Sequence, residues 1–283
     1  MPKLQLSFHG TFSLKKRDVI KILQAAREET GLQGGRQSLV ERTGLGNEKV
    51  LRIVGWANRS GLIQNAHLSP EGQVVYHLDA PLKSVITDWL MHFYLSFGDH
   101  SLALPPNDPA EWGGWPYFVF SFLPQVGNFT LNDLVHQSSS VFNDEREKRL
   151  KENFSIVLRA YTDNEALASI RFITSIKDDW YGSGNPNIPG PHVVGYMLAK
   201  LWARDFGDAT SVLTESVLNQ QMGLAPILGI GKESLQSTLS ELESLSIIEQ
   251  RRTVPPYQIV RRWTSPLELL QSAYANQQGS SSF

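Results

Sequence analysis

Apolar residues recur at helical spacing from Lys15 onward: Val19, Ile20, Leu23 and Ala26 share one face and charges occupy the other. This predicts a helix that ends near the Gly31, Gly34 and Gly35 cluster. Ser38 is placed to cap a short helix through Thr43, Gly44-Leu45-Gly46 interrupts it, and Asn47 opens the next helix. That helix turns Val50, Leu51, Val54 and Ala57 inward and Lys49, Arg52 and Arg59 outward. Two short helices around a glycine turn read as helix-turn-helix. Gly61 to Gln64 follows as a strand, and Leu68-Ser69-Pro70-Glu71-Gly72 begins another helix with Pro in its first turn. Residues 17–78 therefore read as a winged-helix module within an N-terminal segment, 1–80.

The pattern repeats. Leu45, Val50, Val54, Ala57 and Leu62 stand at relative positions 0, 5, 9, 12 and 17, and 185 residues later Ile230, Leu235, Leu239, Leu242 and Ile247 stand at the same positions. Gly229-Ile230-Gly231-Lys232 matches Gly44-Leu45-Gly46-Asn47, although Pro226 interrupts the preceding helix. Glu249 to Arg252, a Val254-Pro255-Pro256 turn and Tyr257 to Trp263 suit the two strands of a wing. A second winged-helix module, 207–276, is expected there, with a disordered tail at 277–283. Between the modules, 81–206 reads as a helical middle. Its apolar faces run through Val85, Trp89 and Phe93, through Leu150, Phe154 and Tyr161, and through Val194, Leu198 and Trp202, with loops at Pro105 to Pro116 and Gly182 to Pro191. The expected fold class is mainly α, with short β wings.

Composition narrows the chemistry. Hydrophobic residues make up 41% of 283 and charged residues 19%, enough for a sizeable core. Cysteine is absent, so disulfides, thiolate metal sites and carriage of persulfide sulfur are excluded. No apolar run reaches membrane-spanning length and Met1 to Gly10 has no signal-peptide core, which points to a cytoplasmic protein with no membrane partner. The net charge of −2 hides an asymmetry: residues 1–80 hold 11 Lys and Arg against 7 Asp and Glu, whereas residues 178–250 hold 3 against 9. Local patches rather than the whole-chain sum decide affinity for phosphates.

Double-stranded DNA is the partner this distribution suggests. A recognition helix places its first residues at base edges, so Asn47, Glu48, Lys49 and Arg52 are candidate readers, and Lys15, Lys16, Arg17, Arg42 and Arg59 candidate phosphate contacts. In the second module Lys232 and the wing residues Arg251, Arg252, Arg261 and Arg262 are the corresponding candidates. The alternative is a winged helix with a merely solvated charged face. Arg146, Lys148, Arg149 and Lys151 alternate with acids, as on a solvated helix. A nuclease needs carboxylates for a divalent cation or a His acting without one. Asp178-Asp179 and Asp205 with Asp208 are the tightest acidic pairs, and each also suits a solvated turn. The metal ligands remain unknown. No phosphate-binding loop is present, because Pro226 and Glu233 stand where it needs glycine and a hydroxyl, and no nucleotide cofactor is expected.

Phe8-His9-Gly10-Thr11-Phe12-Ser13-Leu14 with Lys15 and Lys16 resembles the opening of a prokaryotic family named domain of unknown function four thousand and seven. The resemblance continues through Gly44 to Val50, Trp56-Ala57, Gly61 to Ile63, Leu68 to Gly72, Trp89 to His92, Leu158 to Tyr161 and Pro191 to Trp202. Members accompany DNA phosphorothioation genes, and in the single-strand modification system one is the nicking subunit. The resemblance implies an anti-phage modification setting, with a cysteine desulfurase, an ATPase and a pyrophosphatase as partners. Nicking would need a divalent cation, Mg²⁺ or Mn²⁺, or a general base acting without one. Family openings read Gly-His-Glu-Thr-Phe, whereas here His9 precedes Gly10 and the Glu is missing. His9 is the catalytic candidate the resemblance supplies, with Asp178 and Asp179 from the residues themselves. The expected function is DNA binding within such a system, with nicking of one strand. The alternatives are a non-catalytic DNA-binding adaptor or transcriptional regulator, and a scaffold that binds only protein partners. Homodimerisation, common among such modules, is carried as a further expectation.

Overall fold

The computed structural model describes residues 1–280. A short 3₁₀ turn, Ser7–His9, precedes α1 (Lys16–Arg27), α2 (Gly35–Thr43) and α3 (Asn47–Arg59). β1 (Ile63–Gln64) and β2 (His67–Leu68) form a minimal antiparallel hairpin that leads into α4 (Pro70–Leu78). Ser69 caps α4, its Oγ accepting the Gly72 amide at 2.8 Å. α2 starts earlier than Ser38 predicts. Gly34 holds a left-handed φ of 92° as N-cap, so the chain turns into the helix before Ser38 is reached, and Ser38 makes no cap.

The middle of the chain opens with α5 (Val85–Leu95), buried continuously from Ile86 to Leu95. The expected 105–116 loop contains an ordered turn, Pro109–Trp112, capped by Asp108. A single helical turn, α6 (Gly114–Pro116), then continues as a π-helical stretch, Tyr117–Phe122. β3 (Asn128–Thr130), α7 (Leu131–Val141), α8 (Glu147–Thr162), β4 (Ile173–Lys177) and β5 (Trp180–Ser183) follow. The three strands make an antiparallel sheet in the order β3-β5-β4, which the helical reading of this region did not foresee. Thr130 and Asp133 exchange capping bonds at the start of α7.

The last part runs α9 (Pro191–Phe206), β6 (Ser211–Leu213), α10 (Thr214–Leu218), α11 (Leu224–Leu228), α12 (Lys232–Ser244), β7 (Ile248–Arg251), β8 (Gln258–Arg261) and α13 (Pro266–Ser280). Its sheet is antiparallel in the order β6-β8-β7. The strands β7 and β8 sit within a residue or two of the predicted wing, and β6 is a third strand not predicted. α13 extends to Ser280, so Gln277 to Ser280 are helical rather than a disordered tail; 281–283 lie outside the described residues. The molecule is mainly α with short antiparallel hairpins, and no described helix is long and apolar enough to cross a membrane.

The repeat read from the sequence has matching local geometry. α2 and α11 both end on a left-handed glycine, Gly44 at φ 63° and Gly229 at φ 64°. α3 and α12 each have 13 residues and each starts from a glycine, Gly46 and Gly231. Their exits also match, Leu62 N donating to Ala57 O at 3.1 Å and Ile247 N to Leu242 O at 3.0 Å. Between these pairs lie Gly61 at φ 73° and Ser246 at φ 57°, equivalent positions with different residues.

One contiguous apolar core joins all parts of the chain, with Trp56, Trp89, Trp115 and Trp202 among its largest fully buried side chains. Each such burial contributes ~1.5–3 kcal/mol or more. The polar groups around His92 are paired. Trp115 Nε1 donates to the Tyr161 hydroxyl, which donates to His92 Nδ1, while His92 Nε2 donates to the Ile227 carbonyl at 2.8 Å. The carbonyl can only accept, which fixes the neutral tautomer. Burial lowers His92 to about 4, opposed by the Ile227 bond.

Candidate nucleic-acid interface

α3 begins with Asn47 and Glu48 in solvent. The helix forms there because Gly46 is extended and the next residues are good helix formers without a proline. Its buried side, Val50, Ile53 and Ala57, fits against α1. The outward orientation predicted for Lys49, Arg52 and Arg59 needs correction, because all three are drawn onto neighbours. Lys49 pairs with Asp18 at 2.6 Å. Arg52 donates to the Ser7 and Phe8 carbonyls at 3.2 and 3.3 Å. Arg59 pairs with Asp99 and lies 3.9 Å above the Phe8 ring. The N-terminal arm thus covers the Arg52, Gly55 and Arg59 side of α3, and the strip left open holds Asn47, Glu48, Leu51 and Asn58. Phe8 lies beside Gly55, where an added Cβ would meet its ring at 3.5 Å, an ordinary contact distance.

The predicted phosphate contacts are similarly engaged. Lys15 pairs with Asp163 at 2.5 Å and Glu165 at 2.9 Å, and those carboxylates hold its ammonium above its ordinary value. Lys16 reaches the buried Asp88 at 2.8 Å, where burial pushes the carboxyl up while Lys16 and Ser169 pull it down. Arg17 pairs with Glu165 at 3.2 Å, Arg42 with Glu28 at 2.9 Å, and Glu48 with Arg36 at 3.6 Å. In the C-terminal part Lys232 pairs with Glu215 at 2.9 Å, Arg251 and Arg262 share Glu249, and Arg252 contacts Glu243 at 3.5 Å. Arg261 has no ion pair among the described residues. Apart from the buried Lys16–Asp88 pair, these surface pairs are worth ~0–1 kcal/mol each and exchange readily for other anions.

The catalytic candidates are not brought together. His9 is fully buried, its ring stacked 5.9 Å from that of Trp56. Its Nδ1 donates to the Gly10 carbonyl at 2.9 Å, and its Nε2 is buried with no partner. Burial, reinforced by Arg59 and Arg52, lowers it to about 4 against the Gly10 bond. Asp178 and Asp179 form the exposed turn of the β4–β5 hairpin, Asp178 at a left-handed φ of 49°, beside Trp180, which is 49% exposed. Asp205 is tied to Arg204 and Gln220. Among the described residues no group of three or more His, Asp or Glu is placed to hold a metal ion.

Sequence reasoning missed a cavity of about 550 Å³. Phe120, Phe172, Ser183, Gln220, Gln221 and Ile230 are on its wall, contributed by the π-helical stretch, the β3-β5-β4 sheet and the turn before α12. Its walls come from distant parts of the chain, so no local motif could have announced it. Around the same sheet Arg159, Arg171 and Lys177 are exposed and form no ion pair among the described residues.

These features define a mainly α-helical protein with antiparallel hairpins attached to a repeated helix–glycine–helix element. No family model matches the sequence, and no curated protein does. Two crystal structures share the fold, one of SspB at a TM-score of 0.71 and one of magnesium ion-bound SspB at 0.70. Each alignment covers 96% of this chain and 87% of the SspB chain at 14% identity, a likeness of fold.

Proposed function

We propose that this chain is a DNA-binding component of a prokaryotic DNA phosphorothioation system. In this reading residues 1–80 and 207–276 hold two winged-helix modules that flank a helical middle, 81–206. The fold likeness to SspB, a protein of that defence system, carries the proposal because it spans nearly the whole chain. Asn47 and Glu48 would read base edges, and Lys15, Arg17, Arg42 and the wing arginines Arg251, Arg252, Arg261 and Arg262 would exchange their surface carboxylates for phosphates. A cysteine desulfurase, an ATPase and a pyrophosphatase would be the partner proteins, and the chain, having no cysteine, would leave sulfur transfer to them.

Nicking of one strand belongs to the same proposal, with Mg²⁺ or Mn²⁺ as cation, a choice that magnesium-bound SspB supports. Mg²⁺ can be held by one or two carboxylates, with waters and substrate phosphates completing its octahedron. The Asp178–Asp179 turn offers two carboxylates in open solvent with no third His, Asp or Glu grouped beside them among the described residues, and His9 is sealed, so no catalytic step is derived through a cation. That observation favours a second reading, a non-catalytic DNA-binding adaptor.

Supercoiled plasmid incubated with the protein separates the two. Open circles with Mg²⁺ or Mn²⁺, absent with chelator and lost on Asp178→Asn with Asp179→Asn, are the expected result for nicking. A gel shift without cleavage leaves the adaptor. No shift overturns the DNA-binding reading, and a shift unchanged in Asn47→Ala and in Arg251→Ala with Arg252→Ala overturns the contacts assigned here.

A further inference from the structure

The β7–β8 hairpin ends in a tip that the fold leaves uncovered. Beyond its last ladder pair, Arg251 with Gln258, the chain turns through Arg252-Thr253-Val254-Pro255-Pro256-Tyr257. Val254 is 73% exposed and Tyr257 48%, and the two prolines between them are exposed as well. A lone apolar residue on a surface is ordinary. Here four stand in a row on a projecting turn, while the stem beneath is seated in the interior by the buried Ile248 and Ile259.

The tip is stiff and braced. Proline fixes φ at two successive positions. At the base of the turn the Arg252 guanidinium donates to Gln250 Oε1 at 3.2 Å and to Ser240 Oγ of α12 at 3.1 Å, and the Tyr257 carbonyl accepts the Thr214 amide at 2.9 Å. The stem is basic: residues 248–262 hold four arginines and one acid, Glu249. Among the described residues the carboxylate partners of these arginines are Glu249 and Glu243 alone, so four guanidinium groups face two carboxylates.

A cationic stem under an apolar tip complements a partner that is anionic outside and apolar within. Duplex DNA has that order, phosphates at the groove edge and stacked bases beyond, and apolar side chains inserted at a base step unstack it and kink the helix. A lipid surface has the same order of layers. Interfacial anchors, however, bury the whole apolar face of a helix, and this tip offers one aliphatic side chain, two prolines and a phenol.

We infer that Val254 with Pro255 and Pro256 is a wedge that enters a base step of duplex DNA and bends it, with Arg251 exchanging Glu249 for a flanking phosphate. The inference rests on the DNA-binding reading above and adds to it that the bound DNA is deformed.

A duplex of roughly 30 base pairs with a donor and an acceptor dye at its two ends reads the bend when mixed with the full chain. Energy transfer is expected to rise on binding, by an amount matching a kink of ~20–90°. Val254→Ser with Pro255→Ser should lose most of that rise at saturating protein while affinity falls less than tenfold; both positions are solvent-exposed, so the fold is retained, and matching thermal melts check this. Val254→Phe, a larger wedge, should keep the rise. A mismatched base pair in the duplex should tighten binding by the parent several-fold and by the double-serine variant little, because the step is already loosened. Arg251→Ala should leave the bend intact and lower the slope of log K against log salt by ~0.9, the share of one phosphate. DNA bound without a change in energy transfer overturns the wedge and leaves the DNA-binding reading standing, and so does an equal rise in the folded double-serine variant. A parent that binds no DNA overturns both. Binding to phosphatidylserine vesicles that the double-serine variant loses, with DNA bending unchanged in that variant, assigns the tip to a lipid surface and overturns the wedge.

Discussion

Gly61 and Ser246 occupy the same place in the two repeats, and single substitutions there should have opposite signs. A Cβ at Gly61 would lie 2.3 Å from the Tyr94 ring, in a backbone conformation L residues avoid, so Gly61→Ala should cost more than ~2 kcal/mol. Ser246 already carries a side chain at φ 57°, and Ser246→Gly should stabilise by ~0.5–1 kcal/mol. Urea midpoints of the two variants check both. Acid sensitivity belongs to the same scale. His9 and His92 shift from 6.5 to about 4 on folding. Between those values the unfolded chain binds more protons than the native one, so stability is complete above pH 6.5 and falls as pH drops toward 4. The slope reaches ~2.7 kcal/mol per pH unit for two protons. His9→Gln should show about half that slope in urea titrations across pH 4–7. An unchanged slope would mean that His9 is not the neutral, buried group described here.

At the scale of elements, α1 is tied to the middle of the molecule by the Lys16–Asp88 pair, with Asp88 wholly buried and Ser169 as its other partner. Lys16→Ala strands a buried carboxylate and should cost about 3 kcal/mol or more. Lys16→Ala combined with Asp88→Ala should recover part of that loss, and a thermal-melt cycle measures the coupling. The elements themselves were largely legible in the sequence. The 0, 5, 9, 12, 17 spacing located α3 and α12, and Ser69-Pro70 and Gly190-Pro191 marked where α4 and α9 begin, because local apolar periodicity and capping determine such segments. The β3-β5-β4 sheet was not legible: its strands are three to five residues long and its edge β3 is 50 residues from β5. The surroundings of the candidate DNA-contact residues were not legible. Nothing local in the chain shows that Lys49 would meet Asp18 or that Phe8 would fold under Arg59, since each partner arrives through tertiary packing.

The whole molecule has its ends stapled through the centre. α13 returns to the first half, the Tyr274 hydroxyl meeting Thr87 Oγ1 at 2.7 Å, and Thr87 in turn binding Asp79. His92 on α5 holds α11 through the Ile227 carbonyl. With one contiguous core, the segments 1–80, 81–206 and 207–276 should unfold together. Circular dichroism at 222 nm and tryptophan emission should give superimposable melting curves; two resolved transitions would show the terminal segments to be independent. The tryptophans make that comparison informative in another way. Of the seven, five are buried in the core and Trp263 is half-buried, whereas Trp180 is 49% exposed on the strand that ends at the cavity. The protein therefore carries its own optical probe: iodide should quench the red, solvated component from Trp180 and spare the blue emission of the interior. Any molecule that settles on that sheet will announce itself as a loss of quenching, with no label attached.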